Sequence, residues 1–386
     1  MAQGKFKIKT LNIQLGFVLI PLFLSGCGGG ANVASSSDPV AVAPYNYTQG
    51  NKSSLSAAQN NIMLGSSNSL QYKAPNGTTY SSLTLAHGSL NSTDYPIASN
   101  DTNASTAWAN GWTGLGVKIG IADSFNSNGA VDSHGDWVTV VVGSVAPEAT
   151  YGLSNTLAAN SMSQLIYNVG QTYNTFESGG YHIVNNSWGI ERAKRDSAGA
   201  YTGSLHADYD ASVNSAIQTV VTDIQTGTTG YDSDMLFIYA AGNSGQHCGS
   251  LRLENCNYFA SIVDGVRNLG YAGGSALMWV GSLSDETNTI APYSIQAGNL
   301  KNDFLVAHDD ILTLGDADGT SFAAPRVSAA AALIRHKFPN LNGAQIKQIL
   351  LQTATDIGAS GVDDVYGYGK LNVVNAMSPQ GVVVPK

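Results

Sequence analysis

The chain has 386 residues, of which 43% are hydrophobic and 12% charged, enough apolar content to bury a sizeable core in one α/β unit and too much for disorder throughout. Its 18 Lys and Arg stand against 27 Asp and Glu, a formal net charge of -9. Phosphate binding needs a concentrated cationic surface, so nucleic acid is set aside as a partner.

At the N-terminus, Lys5, Lys7 and Lys9 precede an apolar run, Ile13 to Leu24, that is too short and too interrupted by Pro21 for an ordinary membrane span. Residues 1–26 therefore read as an export signal. Leu24-Ser25-Gly26-Cys27 resembles a bacterial lipoprotein signal, which implies cleavage before Cys27 and lipidation of its thiol. Several acyl chains, at about 0.8 kcal/mol per buried CH₂, suffice for stable anchoring, so a membrane partner is expected through the lipid. Gly28, where an aspartate would signal retention, fits the outer membrane or cell surface of a Gram-negative host. Residues 27–90 follow as a stalk or leader. Up to about residue 60 they are rich in Gly, Ser, Asn and Ala without apolar periodicity and cannot offset their chain entropy by burial.

The main folded domain is expected over 91–378, with a short tail at 379–386. Val117, Ile119 and Ile121 alternate with Lys118, Gly120 and Ala122 in a strand that ends on Asp123. Further strand-like runs are His182 to Val184, leading into Asn185-Asn186-Ser187-Trp188-Gly189, then Met235 to Ala241, leading into Gly242-Asn243-Ser244-Gly245, and Leu277 to Gly281. Helix-like stretches lie between and after them, at Asp210 to Gln225 and Ala323 to Lys337. This alternation predicts an α/β fold with a mainly parallel sheet covered by helices on both faces, and no internal repeat interrupts it. Asp123 then falls at the C-terminal end of a strand, where open α/β sheets place their ligands. In Asp316-Ala317-Asp318-Gly319-Thr320-Ser321, the serine reads equally as a helix-start residue, with Pro325 in the first turn, or as a nucleophile.

Separated blocks in order resolve that ambiguity. The segments VKIGIADS, Ser133-His134-Gly135, IYAAGNSG, DGTSFAAPRVSAA and the closing Tyr366-Gly367-Tyr368-Gly369-Lys370-Leu371-Asn372 together resemble the subtilisin-like serine proteases, the subtilases, over about Trp108 to Met377. The resemblance implies a three-layer subtilisin-like fold and a serine endopeptidase acting on extracytoplasmic proteins or peptides, as a monomer. It implies Ser321 as nucleophile, His134 as general base and Asp123 as the group that orients the imidazole. It further implies Asn243 as oxyanion donor and Ser187, Trp188 and Gly189 as the strand lining the primary specificity pocket. A serine hydroxyl is a poor nucleophile without an adjacent base, which is why the three types must converge. Their order, Asp then His then Ser, is the subtilisin order.

Asp123 and His134 lie only eleven positions apart, so their connection reduces to a tight polar loop, Ser124 to Ser133. Trp137 and the run Val138 to Val142 are bulky or β-branched and weaken the helix expected after His134. The alternative is a buried strand with His134 in a loop, and with it a catalytically inactive binding module on the cell surface. His308 reads as a loop residue. No H-E-x-x-H occurs, and His182, His206, His247 and His336 have no metal-ligand spacing, so no metal site is assigned. The chemistry requires no cofactor. Asp232 with Asp234, Asp316 with Asp318 and Asp363 with Asp364 have oxygens suited to structural calcium, although such clusters are ordinarily solvated turns. Cys248 and Cys256 flank a short loop in an exported chain and, with Cys27 committed to lipid, are the remaining thiols. Their disulfide would contribute about 2–3 kcal/mol in the chain-entropy picture.

Overall fold

Six strands form one sheet: β1 (Lys118–Asp123), β2 (Thr150–Asn155), β3 (Ile183–Asn186), β4 (Leu236–Ala240), β5 (Leu277–Leu283) and β6 (Phe304–His308). They are parallel throughout, in the order β6-β5-β4-β3-β1-β2. The structure is a computed structural model that describes residues 102–125, 133–196, 200–205, 211–226, 234–248, 251–267, 276–284, 287–309 and 318–379. It also describes four two-residue strands between 72 and 89, which pair antiparallel two by two within the segment expected to be stalk or leader. The export signal, Cys27, Asp232, Asp316, His206 and residues 380–386 lie outside the described residues.

The helices that matter to the site are α1 (His134–Val145), α2 (Met162–Ser178), α3 (Ala211–Thr226), α4 (Tyr258–Arg267), α5 (Thr320–Lys337) and α6 (Gly343–Gln352). Side chains alternate across each strand, so Leu236, Ile238, Met278 and Val280 join one core with α1, α5 and α6. Phe237, Tyr239, Leu277 and Trp279 join another with α2, α3 and α4. The result is the three-layer α/β arrangement expected from the sequence. Because β1 lies between β3 and β2, the strand order reverses beside β1, and the C-terminal ends of β1 and β3 open a crevice there.

Helix α1 overturns the strand alternative for Val138 to Val142. Its start is fixed by Asp136, whose carboxylate accepts from both the backbone N–H of Ser133 at 2.8 Å and the Ser133 hydroxyl at 2.6 Å. Val138, Val141, Val142 and Val145 are all buried in the first core, and that burial outweighs the few tenths of a kcal/mol by which each β-branched residue disfavours helix. His308 is not a loop residue either: it ends β6, is buried, and its Nε2 lies 2.6 Å from Lys370 Nζ. His336, in the last turn of α5, accepts from the Thr113 N–H through Nδ1 at 3.1 Å, and burial lowers its pKa to about 4.

Helix α5 is the most enclosed element. From Thr320 to His336 every residue is buried except Ser321. Its small residues, including the run Ala329 to Ala332, allow this close seating over the sheet. Two expectations about its start need correction. Gly319, not Ser321, occupies the N-cap, and Pro325 lies beyond the first turn as the sixth helical residue.

One charged pair lies deep beside this core. Lys347 of α6 contacts Asp303 at 2.7 Å, with side-chain exposures of 3% and 8%, and also donates to the Leu277 carbonyl at 3.1 Å. Removing one partner leaves a buried charge uncompensated, so Asp303→Ala should destabilise the fold by about 3–5 kcal/mol in equilibrium denaturation. The double replacement Asp303→Leu with Lys347→Met should recover most of that loss.

Candidate active site

Strand β1 delivers Asp123, fully buried, to the crevice at the end of the sheet. Its Oδ1 accepts from the Ser124 N–H at 2.7 Å and from His134 Nδ1 at 2.7 Å. Because a carboxylate only accepts, Nδ1 carries the proton and Nε2 is the free base directed at the cleft. The short connection from Asp123 to His134 is pinned at both ends, since the Gly135 N–H donates to the Ser124 carbonyl at 3.0 Å. A Cβ at Gly135 would fall 2.6 Å from the Phe125 ring, so only glycine permits this approach. The imidazole rests near the Phe322 ring, with centroids 5.7 Å apart, and stays 34% exposed. Burial alone would lower the His134 pKa, but the charge and hydrogen bond of Asp123 prevail and raise it above 6.5.

Ser321 is placed by a gap in its own helix. Pro325 has no N–H to bond the carbonyl four residues earlier, which is that of Ser321. The Ser187 hydroxyl fills the gap, donating to the Ser321 carbonyl at 2.7 Å. In return the Ser321 hydroxyl donates to the Ser187 carbonyl at 2.9 Å. Ser187 is itself held through Asn185, whose Nδ2 donates to the Ser187 hydroxyl at 2.9 Å while its Oδ1 accepts from Ser328 of α5 at 2.8 Å. Thus the end of β3 and the start of α5 are clasped together. Among the described residues no hydrogen bond joins Ser321 to His134; both line the same cavity.

Asn243 follows β4 and is clamped by Thr320, whose N–H and hydroxyl both donate to Asn243 Oδ1 at 2.9 Å. A backbone N–H can only donate, so the facing atom is the carbonyl oxygen, and the opposite Nδ2 is a donor beside the cleft. Gly319 leaves that amide its space, for a Cβ there would lie 3.1 Å from Nδ2. The Ser321 N–H belongs to the first turn of α5, where amides have no intrahelical acceptor, so it and Asn243 supply donors at one place. These groups enclose a cavity of about 510 Å³ lined also by Ser124, Leu157, Ser187, Trp188, Gly189, Glu191 and Ala193. Ser187 to Gly189 lie just beyond β3 rather than within the strand.

All the predicted cleft residues, Asp123, His134, Ser187, Trp188, Gly189, Asn243 and Ser321, meet at this one place. Cys248 and Cys256 are bonded to each other, with Cα atoms 5.4 Å apart. Asp234 is taken by Arg335, and Asp364 by Arg252 and Lys301, while Asp363 accepts from the backbone of Val365 and Tyr366. Among the described residues no three His, Cys, Asp or Glu side chains stand together as a metal site. Thr320 and Glu191 are contributors that the motifs do not single out. For Thr320 the signal is its position beside Ser321, and for Glu191 a lone acid two residues after Gly189.

Residues 120–369 match the subtilase family. The chain is 26% identical over 353 residues to an extracellular serine protease of Serratia marcescens, covering 74% of this chain and 34% of that one. It is 47% identical over 60 residues to the neisserial autotransporter lipoprotein NalP of Neisseria meningitidis serogroup B, covering 16% of this chain and 6% of the other. It therefore spans about a third or less of the length of these curated relatives. Among solved structures, a lanthipeptide protease superposes with a TM-score of 0.52 at 19% identity, covering 75% of this chain and 95% of that one, a likeness of fold.

The Asp123 contact predicts a titration. In wild type the His134 ring resonances should shift with a midpoint above pH 6.5, being protonated below it. In Asp123→Asn the raising cause is lost while burial remains, so the midpoint should fall below 6.5, as followed by NMR.

Proposed function

The chain belongs to the subtilase family, and on that footing we propose that it is a serine endopeptidase hydrolysing peptide bonds of proteins outside the cytoplasm. The observation that carries this is the convergence of the 2.7 Å His134–Asp123 pair, the partly exposed start of α5 at Ser321 and the Asn243 amide on one cleft. In this reading the Ser321 hydroxyl leaves the Ser187 carbonyl by rotation about its Cα–Cβ bond and attacks the substrate carbonyl, while His134 Nε2 takes its proton. Such catalytic contacts commonly tighten only in the substrate complex. Negative charge then develops on the carbonyl oxygen, facing Asn243 Nδ2 and the Ser321 N–H. His134 returns the proton to the leaving amine, and water releases the acyl group by the same route. Asp123 keeps Nδ1 protonated and stabilises the imidazolium. Every step uses side chains and backbone of the chain itself, so no cofactor is invoked.

The alternative of an inactive binding module draws on the unusual sequence after His134, and the His134–Asp123 contact speaks against it. Export and lipid anchoring at Cys27 belong to the same proposal. Leu24-Ser25-Gly26-Cys27 supports them, as do the names of the relatives, one extracellular and one an autotransporter lipoprotein. In this proposal the peptidase unit, 91–378, acts as a monomer tethered through 27–90.

Two experiments test the reading. A fluorophosphonate probe should label the wild-type chain and not Ser321→Ala, whereas Asn243→Ala should still label, more slowly, and show kcat lowered about 100-fold with KM little changed, the size expected when one oxyanion donor is removed. Absence of labelling in wild type would sink the protease reading. Separately, Cys27→Ser should leave the membrane fraction or stall in processing; a mature, lipid-labelled Cys27→Ser protein in that fraction would refute the anchor.

A further inference from the structure

The two oxyanion donors come from different pieces of chain, Asn243 from the loop after β4 and the Ser321 N–H from the first turn of α5. They act together only if those pieces are held in register. Within α5, Thr320 does part of this, for its hydroxyl donates to Asn243 Oδ1 at 2.9 Å and accepts from the Gly242 N–H at 3.0 Å. On the loop side, the Asn243 N–H donates to Glu191 Oε1 at 3.2 Å. A further connection comes from outside both. Asp309 follows directly on β6 and is only 3% exposed. Its Oδ2 accepts from the Gly319 N–H at 2.8 Å, so a buried carboxylate grips the residue that caps α5. The same oxygen accepts from the Tyr293 hydroxyl. Burial, then the charge and hydrogen bond of Asp309, push the Tyr293 phenol up from its ordinary range, so it keeps its proton and remains the donor.

Tyr293 is in turn fastened to the Asn243 loop. Its carbonyl accepts from the Gly245 N–H at 2.9 Å, and the Ile295 N–H donates to the Gly242 carbonyl at 3.1 Å, so residues 293–295 bracket the loop. The approach is close, since a Cβ at Gly245 would fall 2.6 Å from the Ser294 carbonyl oxygen and one at Gly242 2.8 Å from the Ile295 side chain. Loop and helix start are thus joined through Gly245, Tyr293, Asp309 and Gly319. Gly319 requires such a grip. At φ 156° and ψ 150° it occupies a region that only glycine enters readily, and glycine's own freedom does not keep it there. Neither Tyr293 nor Asp309 lines the cavity, so neither touches the reacting atoms. We propose that Asp309 and Tyr293 are positioning residues of the oxyanion hole, holding the start of α5 against the Asn243 loop so that the Ser321 N–H and Asn243 Nδ2 aim at one point. The inference rests on the protease reading and adds to it a support that lies behind the cleft. Donors of this kind act through preorganisation, and a displacement of about 1 Å is enough to cost a large part of their effect.

The competing role for the pair is plain stability, which would lower the number of folded molecules and not the turnover of each. Full-length protein separates the two when peptide hydrolysis is expressed as kcat per active site, with sites counted by fluorophosphonate labelling carried to completion. Asp309→Ala should lower kcat per site by about 10- to 100-fold with KM changed by less than about twofold. Asp309→Asn keeps an oxygen with two lone pairs for both donors and should turn over about threefold or more faster than Asp309→Ala. Tyr293→Phe removes one hydroxyl and should lower kcat per site by about three- to tenfold, and it carries the test if Asp309→Ala does not fold. Combined with Asn243→Ala, either variant should cost less than the product of the two single losses, because one of the donors being aimed is already gone. Wild-type kcat per site in Tyr293→Phe, or losses that multiply in full with Asn243→Ala, overturns the proposal and leaves the pair a structural contact. A wild-type protein that labels and cleaves while the variants keep its kcat per site refutes the role of Asp309 and Tyr293 alone, whereas one that neither labels nor cleaves refutes the protease reading with it.

Discussion

The cleft depends on one missing amide. Pro325 cannot donate to the Ser321 carbonyl, and that carbonyl is taken by the Ser187 hydroxyl instead. A regular helix would have closed the bond internally and left α5 indifferent to the strand beneath it. The gap instead makes the start of α5 and the end of β3 mutually dependent, through two hydrogen bonds between Ser187 and Ser321 and a further pair through Asn185. Each contributes on the order of 1 kcal/mol net, but together they fix where the partly exposed serine sits. Thr320 extends the same seating to the loop after β4 by holding Asn243 Oδ1. Two sheet-end segments are thus indexed to a single helix terminus.

Around this clasp the charges are arranged asymmetrically. Asp123 is wholly buried and its Oδ1 is satisfied by the Ser124 N–H and His134, while Oδ2 has no hydrogen-bond partner among the described residues. A buried carboxylate so placed draws positive charge toward the imidazole, which is why the raised His134 pKa survives the opposing effect of burial. The deep Lys347–Asp303 pair sits where β5 and β6 begin, at the other end of the strands from the cleft, and belongs to stability rather than to chemistry.

Much of this is legible in the sequence, because the strands announce themselves by alternation and end on the residues that matter. Asp123 closes β1, Ser187 follows β3 and Asn243 follows β4, and the sheet needs only to be parallel for all three to share an edge. Helix α1 is harder. Its valines favour a strand by local propensity, and the features that decide against it are the Asp136 cap and burial against the first core, of which only the cap is local. The clasp is not legible, since Ser187 and Ser321 are 134 positions apart and nothing in either motif names the other. Pro325 is visible, but its consequence depends on where α5 begins, and the helix starts at Thr320 rather than after the serine. Glu191 stands in the sequence as a lone acid two residues after Gly189, and the pairing of its backbone with Asn257 shows where that segment lies.

The Cys248–Cys256 bond adds a covalent tie across a short loop whose two ends also pack in the second core. Cys248 follows the Asn243 loop, and Cys256 sits beside Asn257 and Arg192, which hold the Glu191 segment. Both flanks of the cleft are therefore cross-linked through one sulfur bridge. Where thiols are kept reduced, those flanks lack this additional covalent tie, and it closes only under oxidising conditions. Redox conditions thus bear on the cleft itself: the Asn243 loop and the Glu191 segment are held more firmly in an oxidising surrounding than in a reducing one.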